Sequence, residues 1–324
     1  MTNRILDFSK DAVRLRIDNG CLAVRAQDGT QLDSVPLTDI ESVILSNPAI
    51  TVSQSALASL ASSGVSTIVC DAKSRPVGMV LPLEAHQEQR ARFLAQAALT
   101  APRKKRLWQS IVRAKISAQA RTLEEFRGLD YGLRAMAKRV GSGDPANVEA
   151  QAARCYWLML FPEDGFRRRD EEDARNHCLD YGYAVLRAGV ARALCASGLH
   201  PSLSVHHRSP YNTFPLADDL MEPFRPAIDR AAVLEFASRS GAGEIALDPQ
   251  AKRTLIGALT ARYRVDGESR TLLDLITRTC RNFTAAVLSA DVEFSVPYWT
   301  VELRKDVNRT LQNHVDLCNV RSAG

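Results

Sequence analysis

The period of the hydrophobic pattern changes once along this 324-residue chain, near residue 83, and that change constrains the fold most. Before it, short alternating segments (ILDFS, AVRLRI, CLAVRA, TQLDSVPL) are separated by Lys10-Asp11, Asp18-Asn19-Gly20 and Asp28-Gly29. Alternation with period two is the mark of half-buried strands, and Asn-Gly and Asp-Gly pairs accept the positive φ of tight hairpin turns. SVIL and STIVCD are β-branched runs of the kind buried in sheets. Between them, TVSQSALASLASSG has a Ser/Thr start, helical spacing and a closing Gly64, which predicts one short helix among the strands.

Beyond Leu83 the chain turns rich in Ala, Leu, Gln and Arg with a 3.6-residue period, which predicts helices through about residue 140. The break GSGDPAN follows, where Asp144 and Pro145 read as N-cap and first turn of a helix to about Phe161. Further helices are expected over 173–197, closed by Gly198, and over 218–240, 249–263, 268–289 and 298–315. Leu199 to Phe214 reads as loop, with Pro201, Pro210 and two adjacent histidines. The expected fold class is α+β: a small N-terminal β-sheet domain, sandwich-like, over residues 1–85, then a larger all-α domain over 86–324.

Charge divides the same way. The formal net charge is +5, yet residues 1–85 hold seven Lys/Arg against nine Asp/Glu, leaving +7 for the rest. Residues 89–123 contain nine cations (Arg90, Arg92, Arg103, Lys104, Lys105, Arg106, Arg113, Lys115, Arg121) and no acid. Such a run is either a face that binds nucleic-acid phosphates or a solvated helix face whose acidic partners lie elsewhere. Arg167, Arg168 and Arg169 form a second basic cluster with the same two readings. No apolar run reaches the roughly 20 residues that span a bilayer. The N-terminus reaches Asp7 and Asp11 without an apolar core, so no signal peptide is expected. Seven cysteines with no CxxC pair fit a reducing cytoplasm rather than a disulfide framework or structural zinc.

Three places in the helical half concentrate unusual residues. Glu149 lies in the first turn of a helix beside the stripe Val148, Ala152, Cys155, Tyr156 and Met159. An acid there is also what a helix N-terminus favours. His206-His207 lie on the loop after Gly198-Leu199-His200-Pro201, either as metal ligands or as plain polar loop residues. DDLMEPFRPAID holds Asp218, Asp219, Glu222, Arg225 and Asp229, with 218, 222 and 229 on one helix face. Clustered carboxylates repel unless a cation or Arg225 neutralises them. Together, Glu149, one histidine and Glu222 would suit Mg²⁺ or Mn²⁺ and a phosphodiester substrate. Tyr156, Trp157, Tyr181 and Tyr183 read as helix packing rather than base-stacking residues.

In order and at suitable distances, NVEAQAARCYW, LDYGYAVLRAGVARAL, GLHPSLSVHH and DDLMEPFRPAID resemble the CRISPR-associated endonuclease and integrase of spacer acquisition. The DLMEPFRP form, with Glu as third ligand, is similar to the type II branch. The resemblance implies a Mg²⁺ or Mn²⁺ site on Glu149, His207 and Glu222, with His206, Asp219 and Arg225 as supporting residues and His206 as the reserve ligand. It implies DNA held by Arg90, Arg92, Arg103, Lys104, Lys105, Arg106, Arg113, Lys115, Arg167, Arg168 and Arg169. It further implies a cytoplasmic, membrane-free homodimer built through the β domain, acting on double-stranded spacer-precursor and repeat DNA. Its expected partners are a small second Cas protein bridging two dimers and the type II effector nuclease. The implied reaction joins 3′-hydroxyl ends of spacer DNA to the repeat. A branched-DNA nuclease without integration and a non-catalytic DNA-binding scaffold are the alternatives. Two departures stand out: Asp180 where the family usually has Asn, and Ser204 where it usually has Gly.

Overall fold

The computed structural model describes residues 4–9, 11–72, 76–83, 86–162, 166–168, 170, 172–207, 209–239 and 245–302. Arg169 and the far part of the helix expected over 298–315 lie outside them. Eight strands come first: β1 (Arg4–Phe8), β2 (Arg14–Asp18), β3 (Cys21–Arg25), β4 (Gln31–Pro36), β5 (Ile40–Leu45), β6 (Thr51–Val52), β7 (Ser66–Cys70) and β8 (Pro76–Val80). They form two four-stranded sheets, β1-β5-β7-β8 and β4-β3-β2-β6. The β2–β3 hairpin turns on Asn19 and Gly20, with φ of 47° and 75°. Helix α1 (Gln54–Ser62) starts at Ser53, whose side chain accepts the N–H of Ala56.

Strand β5 explains how the two halves join. Successive side chains of a strand point to opposite faces. Val43 faces a core with Leu15, Leu22, Val35 and Leu60 inside the β region, while Ile44 joins the core of the helices. The first sheet is therefore covered on both sides at β5, whose burial is nearly continuous along the strand. Arg192 fastens the seam from the helical side, donating to Glu41 at 2.5 Å and to the Gly64 carbonyl at 2.6 Å.

The helices are α2 (Gln89–Ala97), α3 (Ala101–Arg127), α4 (Leu133–Arg139), α5 (Val148–Leu160), α6 (Ala174–Ala196), α7 (Pro215–Met221), α8 (Arg225–Arg239), α9 (Pro249–Thr260) and α10 (Leu272–Leu288). Helix α6 is apolar nearly all round and forms the centre, packing against α7, α8, α9 and α10. Gly182 permits its close approach to α8, because a Cβ there would lie 2.5 Å from Ile228 Cγ2. No helix among the described residues is long and apolar enough to cross a membrane.

Three expectations change. The region after residue 86 is mostly helical but not all-α: β9 (Arg262–Val265), β10 (Glu268–Thr271) and β11 (Thr300–Val301) make a small sheet, order β10-β9-β11. Its hairpin turns at Asp266-Gly267, with φ of 48° and 82°. That is the same signal that marks the N-terminal hairpins, so the helices expected over 249–263 and 268–289 yield these residues to strands, and the described start of the one expected over 298–315 is β11 instead. The helix expected over 218–240 breaks into α7, a 3₁₀ turn over Glu222–Phe224, and α8. Finally, Pro145 does not open α5. Asp144 and Asn147 both take φ of 50°, and the helix begins at Val148, although the Asp144 carboxylate still accepts the N–H groups of Val148 and Glu149 at 2.9 Å.

Candidate active site

Three elements meet at one buried lysine. Lys115 belongs to the inward stripe of α3, seven residues after Trp108 and four after Ile111, all three buried. Its Nζ lies 2.6 Å from Glu149 Oε1, in the first turn of α5, and 2.5 Å from Glu222 Oε2, at the head of the 3₁₀ turn. Arg225, one turn on, donates to Glu222 Oε1 at 2.8 Å and lies over the Tyr183 ring, 4.1 Å from its centroid. Burial by itself would raise the Glu222 pKa, but Arg225 and Lys115 outweigh it and hold the carboxyl down at about 2. Burial likewise opposes the Lys115 charge, and the two carboxylates more than offset it, leaving the ammonium above its usual pKa.

The histidine loop is organised by Asp219, which is fully buried. Its Oδ2 accepts the backbone N–H groups of Val205 at 2.8 Å and His206 at 3.1 Å. Its Oδ1 takes the His207 N–H at 3.2 Å and faces His207 Nδ1 at 2.7 Å. That hydrogen bond is the main reason the His207 pKa rises, against a smaller opposing effect of burial. With Nδ1 engaged, Nε2 is the nitrogen left for other chemistry. His206 is stacked flat on Trp108, ring centroids 3.9 Å apart, and the edge of His207 meets the same indole at 5.8 Å. Gly198, with φ of 69°, starts this loop, and a Cβ on it would lie 2.8 Å from Arg92 Cδ. Gln96 then clamps the GLHP turn through the His200 N–H and the carbonyls of His200 and Leu203.

Among the described residues, no three or more His, Cys, Asp or Glu side chains stand close enough together to hold a metal ion. Glu149 and Glu222 are brought together, but around an ammonium. The donor types nevertheless fit Mg²⁺ or Mn²⁺: two carboxylates flank a position that already holds a positive charge, and His207 offers an imidazole nitrogen from its own loop.

The remaining acids of DDLMEPFRPAID have separate partners. Asp218 pairs with Arg187 at 2.7 Å, and Asp229 accepts from Tyr156 at 2.9 Å and from Tyr183. The shared helical face expected for 218, 222 and 229 is interrupted by the 3₁₀ turn. Tyr156, Tyr181 and Tyr183 are buried in helix packing, and Trp157 packs beside Phe161 and Phe166. Asp180 pairs with Arg168, and Ser204 donates to the His207 carbonyl.

The cations divide into two sets. Arg90, Lys105, Arg106, Arg113 and Arg167 are exposed and Lys104 is half-exposed, although Arg113 also donates to the Val140 carbonyl at 2.9 Å. Four others are turned to internal work. Arg92 donates to the Ser197 carbonyl at 2.8 Å, Arg103 to the carbonyls of Ala286, Ser289 and Val292 at the end of α10, and Arg168 to Asn176 and Asp180, while Lys115 bridges the acids. Arg121 lies between the Tyr298 and Trp299 rings. Sequence reading placed Lys115 with the surface cations and passed over Trp108. The signal for both was their spacing on one apolar stripe, where a lysine needs an acidic partner.

Residues 8–260 match the family described as "CRISPR associated protein Cas1". A curated relative, the CRISPR-associated endonuclease Cas1 of Neisseria meningitidis serogroup C, is 38% identical over 264 residues, covering 81% of this chain and 85% of that protein. A solved casposase bound to integration product superposes with a TM-score of 0.75 at 19% identity, covering 96% of this chain and 99% of that one. A Cas6-RT-Cas1–Cas2 complex gives 0.71 at 19% identity, over 94% of this chain and 36% of the other. These two likenesses concern the fold. The β region and the helical region, with Glu149, His207 and Glu222, thus lie in a chain that belongs to the Cas1 family of CRISPR-associated proteins.

Proposed function

We propose that this protein is the integrase and endonuclease of CRISPR adaptation, dependent on Mg²⁺ or Mn²⁺. One observation carries the reading: Glu149 and Glu222, from different elements, converge on a single cation position. Glu149, His207 and Glu222 are the residues that would hold the ion, and when bound it supplies Lewis-acid activation of a phosphate. Asp219 orients His207 through Nδ1, and Arg225 fixes the Glu222 carboxylate. The 3′-hydroxyl of a spacer fragment attacks a repeat-strand phosphorus. A new P–O bond forms as the P–O bond to the displaced strand end breaks, so phosphodiester number is conserved. Arg90, Lys104, Lys105, Arg106, Arg113 and Arg167 grip the double-stranded DNA backbones.

The protein acts in the cytoplasm as a homodimer through residues 1–85, with residues 86–324 catalytic and DNA-binding. A small second Cas protein bridges two dimers, a reading supported by the likeness to the Cas6-RT-Cas1–Cas2 complex, an assembly that includes both kinds of protein. The type II effector nuclease is a further partner in this reading. A non-catalytic scaffold is the competing reading, favoured by the lack of a three-donor metal group among the described residues.

Short 3′-hydroxyl duplexes incubated with a repeat-bearing plasmid, Mn²⁺ and the small partner decide between them. Strand-transfer products that vanish in Glu149→Gln, His207→Ala and Glu222→Gln support the integrase. Cleavage of branched DNA without joined products supports the nuclease alternative. DNA binding with no metal-dependent product establishes the scaffold.

A further inference from the structure

Lys115 is 8% exposed and touches both acids through one ammonium. With Arg225 on the other oxygen of Glu222, two carboxylates face two cations, and the cluster is electrically balanced without any ion from solution. A divalent ion entering with both cations in place would leave two surplus positive charges in a buried region, where charge imbalance is most costly. One cation must go. Arg225 is pinned by Glu222 and by the Tyr183 ring. Lys115 carries its charge on a flexible four-carbon stem, so it is the one able to withdraw.

We propose that Lys115 is a built-in counter-cation: it holds Glu149 and Glu222 together before metal arrives, and its ammonium must leave the carboxylates for a divalent ion to bind. This rests on the reading of Glu149 and Glu222 as metal ligands. Lys115 is on this account a positioning residue that sets metal affinity, and its charge, not its packing, is the operative property.

The test is Mn²⁺ binding by the full-length protein without DNA, followed by electron paramagnetic resonance of free Mn²⁺. Lys115→Met is expected to bind Mn²⁺ about tenfold more tightly than wild type, because no ammonium competes. Its metal-free form should melt lower and gain more in Tm on Mn²⁺ addition. Lys115→Arg, which keeps the charge, should retain the weak wild-type affinity. If Lys115→Met does not fold, Lys115→Gln is read by the same criteria. Binding lost in Glu222→Gln but unchanged, weakened or absent in Lys115→Met overturns the counter-cation and leaves the metal site standing. Binding indifferent to both Glu149→Gln and Glu222→Gln removes the metal site itself, and this inference with it.

Discussion

Replacing Asp219 with Asn tests whether one buried carboxylate builds the histidine loop. The carboxylate serves four donors, two on each oxygen: the Val205 and His206 N–H groups on Oδ2, and the His207 N–H and Nδ1 on Oδ1. An amide keeps one acceptor and turns an NH₂ against the other pair, so two charge-assisted hydrogen bonds are lost. Each is worth about 1.5–3 kcal/mol, and because the exposed His207 side can rehydrate, the expected loss is about 3 kcal/mol. At about 2–4 °C per kcal/mol, the melting temperature falls by about 10 °C. The raised His207 pKa should also drop, since hydrogen bonding to Asp219 is its chief cause.

The sign of the pH dependence follows. A histidine whose folded pKa is raised adds stability below its unfolded pKa, and loses that contribution as pH rises through the folded value. Asp219→Asn removes this slope. Calorimetry gives the melting temperature, and NMR of the His207 ring follows its titration. A variant that melts like wild type, with an unmoved His207 titration, would falsify the assignment of the loop to Asp219.

Two other outcomes separate roles that the sequence alone merges. Arg106→Ala should lower the slope of log affinity for duplex DNA against log salt by about one, as expected for loss of one phosphate contact. Arg92→Ala should leave that slope unchanged but lower the melting temperature, because its guanidinium holds the Ser197 carbonyl. Equal effects on the salt slope would contradict the division into surface and internal cations. Asp229 offers a pH test: burial raises its carboxyl to about 6, against hydrogen bonds from Tyr183 and Tyr156 and the charge of Arg225. Between about pH 4 and 6 the folded protein keeps a proton that the unfolded chain releases. Stability therefore declines as pH rises through that window, by about 3 kcal/mol in all, and levels off above it. Tyr183→Phe removes a donor and should move the window upward. Urea midpoints that are flat from pH 4 to 7 would contradict the burial of this acid.

Local signals in the chain were legible wherever neighbours in sequence decide the outcome. Asn19-Gly20 turns its hairpin because those residues tolerate positive φ. Ser53 caps α1, and Gly198 closes α6 and starts the loop to the histidines. The same signal stands at Asp266-Gly267, which the helical reading passed over: there the Asp-Gly pair outranks helical composition and turns β9 into β10. The break at Glu222–Phe224 was less legible. A four-residue spacing from Asp218 implied one helix, whereas the turn directs Glu222 to Lys115 and leaves Asp218 with Arg187.

The order of β segments and helices, the divided charge and the motifs that mark the family were determined by the sequence itself, because periodicity, turn chemistry and residue type are local properties. Which cations lie at the surface and which fasten the interior was decided by tertiary structure alone. So was the meeting of Glu149 and Glu222, 73 positions apart in sequence, on the Nζ of Lys115. The physical reason is that a charge takes its role from what surrounds it. On α3, Arg106 and Lys115 are equivalent in composition, yet one full cation lies in solvent and the other between a buried and a half-buried carboxylate.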